Sequence, residues 1–183
     1  MKTPATTLAL VFALGAAGGL LPADANAQKH AKATAAAPFP PHHNAAFPGE
    51  AKQSVKESKT PSGQTVATHV RELKTGGRYY GTAWTAVPET PSSPDERAKL
   101  LEFAASQALK TEPGATLVSK ENVSIAGTPG LAYVIDLPKS NTRMRQQIFI
   151  VSGVLVQQTY SGPPGSESRR EANRFFDSLR LIP

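Results

Sequence analysis

The sequence predicts an α+β fold: an antiparallel sheet of about six to seven strands carrying two helices, in the order βββ-α-ββββ-α. Three observations lead there. Short runs of alternating apolar and polar residues, punctuated by glycine and proline, recur from Phe47 onward, which is how half-buried antiparallel strands read. Two segments break that rhythm with helical spacing and start signals, one after the third strand and one after the last. Strands come in runs rather than alternating with helices, so a parallel sheet is not expected.

The elements follow in order. A first strand is expected over 51–59, and the turn Thr60-Pro61-Ser62-Gly63 leads to a second over 64–73, with Val66, Thr68 and Val70 on one face. Thr75-Gly76-Gly77 turns the chain into a third strand, 78–87, whose Tyr80, Thr82 and Trp84 share a face. The first helix has a written start: Ser93 as N-cap, Pro94 at the first helical position and Glu96 completing a capping box. Ala98, Leu101, Ala104, Ala105, Ala108 and Leu109 form its buried stripe, and Pro113-Gly114 stops it. Four strands are expected next, over 116–126, 131–137, 143–151 and 154–160. Gly127-Thr128-Pro129-Gly130 makes the first joint, 138–142 the second, and Ser152-Gly153 a two-residue hairpin. The closing helix, 167–179, is capped by Ser166, or by Ser168 with Glu171, and places Ala172, Phe175, Phe176 and Leu179 on one face.

Ahead of this domain lie two segments of a different kind. Lys2 followed by LALVFALGAAGGLL (8–21), Pro22 and the small-residue run 23–27 reads as a secretory signal peptide cleaved after Ala27. The apolar run is shorter than the roughly 20 residues a spanning helix needs, and no later run is longer. The mature protein is therefore expected in the periplasm or outside the cell, with no transmembrane segment. Residues 28–46, QKHAKATAAAPFPPHHNAA, form a low-complexity linker expected to be disordered, and 47–183 form one domain. The chain has no cysteine, so neither a disulfide nor a thiolate contributes.

Several local strings resemble the PsbP-like superfamily, an α/β/α sandwich: Phe47-Pro48-Gly49, the strand from Tyr79 to Trp84, Ile125-Ala126-Gly127-Thr128-Pro129-Gly130, and the closing Arg174-Phe175-Phe176-Asp177-Ser178-Leu179-Arg180-Leu181. The resemblance spans most of 47–183. It implies a fold and no shared catalytic residues, and it points to action by binding other proteins.

The chemical inventory agrees with that expectation. Outside the linker the domain has one histidine, His69, and three aspartates, Asp95, Asp136 and Asp177, with neither a triad nor a carboxylate pair legible among them, and no cofactor is called for. Arg143 and Arg145 share a strand face, and Arg169, Arg170 and Arg174 crowd the closing helix. If they converge, they make a surface for an acidic protein or another anionic envelope component. Glu167, Glu171 and Asp177 interleave with the helical arginines, which also suits an ordinary solvated face. Of the net charge of +6, Lys29 and Lys32 lie in the linker, and the +4 left on the domain is too mild for a nucleic-acid footprint, so nucleic acid is not expected as a partner. The function expected is that of an exported, non-catalytic binding or accessory protein of the cell envelope. The alternative is copper or nickel handling in the linker, where His30 stands third after the cleavage site and His42 and His43 add ligands.

Overall fold

Alternation along the strands and helical spacing in two segments produce the architecture seen in a computed structural model, which describes residues 42–59, 65–87 and 90–182. In chain order the elements are β1 (His43–Asn44), β2 (Lys52–Lys59), β3 (Thr65–Thr75), β4 (Arg78–Ala86), α1 (Pro94–Ala108), β5 (Thr116–Ile125), β6 (Thr128–Leu137), β7 (Thr142–Val151), β8 (Val154–Gly162), α2 (Arg170–Asp177) and β9 (Arg180–Leu181). Seven strands form one sheet in the order β2-β3-β4-β8-β7-β6-β5, every neighbouring pair antiparallel. β2-β3-β4 and β5-β6-β7-β8 are two meanders. They join at the middle, where Tyr80 lies opposite Tyr160 and Trp84 opposite Val156.

The pleat sends alternate residues to opposite faces, and each face has its own helix. Leu101, Ala104, Ala105 and Ala108 of α1 pack with Tyr133, Ile135, Met144, Ile148, Ile150 and Leu155. Ala172, Phe175 and Phe176 of α2, with Leu179, pack with Tyr80, Phe149, Val151, Val156 and Tyr160 on the other face. The neighbours Ile148 and Phe149 thus serve different cores. Buried amides tie α2 down: Gln158 Nε2 donates to the Phe175 carbonyl at 2.7 Å, and Gln147 Nε2 donates to Gln158 Oε1 at 2.6 Å. The first of these bonds reaches a carbonyl in the last turn of α2, where backbone acceptors run short of intrahelical donors.

Ser152-Gly153 forms the expected two-residue hairpin, with φ of 47° and 75°, both in the left-handed region that such a turn demands. Other local expectations shift. The joint after β5 is Ala126-Gly127, so β6 begins at Thr128 and takes Pro129 and Gly130 into its first pairs. Glycine is required at 130, where a Cβ would overlap the Phe149 ring and the Ile148 carbonyl oxygen. Ser93 caps α1 by accepting from Glu96 N at 3.2 Å, and the Glu96 carboxylate accepts from Ser92 N and Ser92 Oγ, one residue ahead of the cap. α1 ends at Ala108, ahead of Pro113. α2 is shorter than the expected 167–179; its N-cap is Arg169, with no side-chain bond, because the Ser166 and Ser168 hydroxyls donate to the Pro163 and Gly165 carbonyls. The Thr60-Pro61-Ser62-Gly63 turn lies outside the described residues.

The expected boundary at Phe47 falls inside the fold. His43 pairs with Leu181 and Asn44 with Arg180, Ile182 N donates to the His42 carbonyl at 2.8 Å, and Ala46 N donates to Ser178 Oγ at 2.8 Å. Ala45 is buried. Residues 42–46 therefore form a strap that ties the start of the described chain to its end, where a disordered linker was expected.

Candidate functional site: a cleft beside an open sheet edge

α1 packs mainly on β6 and β7, and the outermost strand, β5, lies beyond them at the sheet edge. Between the first turns of α1 and the β5-β6 hairpin lies a cleft of about 390 Å³, within the range of roughly 300–1,000 Å³ typical of ligand sites. Pro94, Ala98 and Leu101 form the helical wall, and Leu131 and Pro129 the sheet floor. Polar groups lie at the margins: Ser92 and Ser93 at the helix start, Asn122 from β5, and Arg97, whose Nε is buried without a hydrogen-bond partner. Lys120 of β5 spans to Glu102 of α1 at 2.8 Å, an exposed pair that is a weak link by itself.

Ala98 was expected in the buried stripe and is exposed instead. The stripe runs past the sheet at the helix start, where a small side chain leaves the cleft open.

β5 is also a sheet edge, so its outer N–H and C=O groups have no strand partner within this sheet. Its ten residues are exposed or half-buried, with Leu117 and Val118 at 45% and 47% exposure beside a register shift. The opposite edge, β2, reads KQSVKESK; Lys52 and Lys56 blunt it against pairing. β5 carries Leu117, Val118, Val123 and Ile125 and has less such protection.

The arginines expected to converge fall into two groups. Arg143 donates to both Asp136 oxygens, the Nη2 bond at 2.9 Å, and reaches Glu167 at 3.2 Å. Those bonds hold its proton more firmly than usual and keep the Asp136 carboxyl below the ordinary carboxylate range. Arg145 lies 4.2 Å from the centre of the Phe176 ring and donates to Asn173 Oδ1 at 2.7 Å, and burial lowers its pKa. Both are thus engaged within the fold. Arg169, Arg170 and Arg174 are exposed on α2, outside the described ion pairs, while Glu171 turns to Arg78 and Glu167 to Arg143.

Of the histidines, His30 lies outside the described residues. His42 and His43 belong to the strap, and His43, 3% exposed, meets the Trp84 ring edge-on at 5.2 Å. His69 of β3 stacks on the Trp84 ring with centroids 4.9 Å apart. Among the described residues no group of three or more His, Cys, Asp or Glu side chains is placed to hold a metal ion, and no helix is long and apolar enough to cross a membrane.

The cleft residues were missed in the sequence because a wall needs partners. Ala98 reads as ordinary core until the β5-β6 hairpin is placed, and Pro129 reads as a turn.

No family model matches the chain, and no curated protein matches it. Among solved structures it is similar to the protein of unknown function PA94 from Pseudomonas aeruginosa, at 14% identity and a TM-score of 0.48, covering 74% of this chain and 98% of that one. So loose a likeness carries no argument about function.

Proposed function

We propose that the chain is an exported, non-catalytic binding protein of the cell envelope, built as a PsbP-like α/β/α sandwich, whose cleft receives an extended apolar segment of a partner protein. The observation that carries this reading is the apolar cleft of about 390 Å³ running beside an exposed edge strand. An open edge offers backbone hydrogen bonds to a peptide in extended form, and a neighbouring apolar pocket selects among its side chains. Export rests on the N-terminal pattern, and the sandwich reading on the two helices lying on opposite faces of one sheet. The exposed Arg169, Arg170 and Arg174 offer a separate contact to an anionic envelope component.

The test is to select peptides from a random displayed library on the mature protein and to map the best binder by amide hydrogen exchange. Added protection on alternate β5 amides is the expected outcome, with Ala98→Glu weakening binding at least about tenfold, as loss of one buried apolar side chain would. Protection on β2 or α2, or affinity untouched by Ala98→Glu, overturns the reading.

A further inference from the structure

On the α2 face of the sheet, away from the cleft, polar atoms gather under the strap without partners. Arg71 lies directly opposite Thr82, and His69 opposite Trp84, so these side chains share one face of β3 and β4. His43 comes down from β1 onto the Trp84 ring. Arg71 Nε, Thr82 Oγ1, Trp84 Nε1 and both ring nitrogens of His43 are buried and make no hydrogen bond. Thr82 is 0% exposed and His43 3%. Buried polar groups are almost always satisfied, and a tryptophan N–H in particular finds an acceptor. One such atom is unremarkable, but five on four side chains of neighbouring strand and strap positions are not.

Their chemistry has a sign. Arginine Nε and tryptophan Nε1 are donors only, and threonine and neutral histidine each bring one more proton. The residues across the strands from this group are Gln53, Val55, Gln158 and Val156, none of them acidic. Gln158 is occupied with Phe175 and Gln147. A donor-rich cluster with one fixed positive charge and no acid directly across the strands is matched by an acceptor carrying one negative charge. Arg71 itself is half-buried, with its Nε turned away from solvent. We propose that His43, Arg71, Thr82 and Trp84 form a binding site for one carboxylate group, borne by a small organic acid or by the end of a peptide. Arg71 carries the counter-charge, with its guanidinium held in place over the Phe47 ring at 5.2 Å. The Trp84 and Thr82 groups supply directed hydrogen bonds.

Trp84 is the chain's single tryptophan, so its indole N–H gives one unambiguous NMR signal. The full chain at pH 7 is titrated with sodium acetate, N-acetyl-alanyl-alanine, sodium phosphate and sodium chloride at constant ionic strength. A saturable indole shift with acetate and not chloride is expected, weakened at least about tenfold in Arg71→Gln, the scale of a lost charged hydrogen bond. Thr82→Val, near in shape and uncharged, is expected to weaken it as well, and it serves as the decisive variant if Arg71→Gln fails to fold. Tighter binding of the peptide assigns the site to a chain end, and equal or weaker binding to a free acid. Absence of saturation, an equal response to chloride, phosphate binding more tightly than acetate, or full binding by folded Arg71→Gln and Thr82→Val overturns the proposal.

Discussion

His43 has its pKa brought down to about 4, first by burial and then by the charges of Arg71 and His42. Its folded pKa lies below the ordinary 6.5, so the unfolded chain binds the proton more readily. The sign follows from linkage: stability is independent of this group above about pH 7, falls as pH drops through 6.5, and stops falling below about 4. At about 1.4 kcal/mol per unit, the window is worth about 3 kcal/mol. Urea unfolding of the wild type and His43→Phe between pH 7.5 and pH 4 checks this. The wild type is expected to lose about 3 kcal/mol more than the variant, and parallel curves would exclude the buried histidine as the cause. The residue was legible as a candidate ligand because of its type, but its environment was not. Burial came from Trp84 and the strap, both distant in sequence.

The two helices differ at their starts, and the difference can be measured. Ser93 accepts from Glu96 N, a cap whose loss in Ser93→Ala is expected to cost about 1 kcal/mol. Arg169 already holds an extended cap conformation, φ −68° and ψ 157°, but contributes no side-chain bond. Arg169→Ser is expected to gain between about 0.5 and 1 kcal/mol, read from the same urea midpoints. A neutral or destabilising result would show that the α2 start is satisfied in another way. The α1 start was legible because capping is chemistry among adjacent residues. The α2 start was misread because Ser166 and Ser168 suit a turn as well as they suit a cap, and local pattern does not decide between them.

At the scale of the whole molecule, the strap joins the two ends of the described chain. A version beginning at Phe47 loses the Ile182–His42 and Ala46–Ser178 hydrogen bonds together with the burial of Ala45 and His43. Two net hydrogen bonds at about 1 kcal/mol each set a floor of about 2 kcal/mol, and a lower thermal midpoint than that of the chain beginning at Gln28 is expected. Equal midpoints would mean that the strap adds nothing to stability. The same truncation removes His43 and is expected to abolish the acetate response of Trp84.

The sequence by itself determined the α+β class, both helices, the seven strands of the main sheet and the Ser152-Gly153 hairpin. Each of these rests on periodicity, capping or turn geometry, which act between residues close along the chain. Tertiary structure alone decided the order of the sheet, since the central β4-β8 pair joins segments on either side of α1 and three intervening strands. It also decided that 42–46 belong to the fold: a two-residue strand has no period to read, and its partner lies at the other end of the sequence. Both proposed sites are of this second kind. The cleft exists because a helix stops short of a sheet edge, and the carboxylate site because two strands and a strap bring His43, Arg71, Thr82 and Trp84 together.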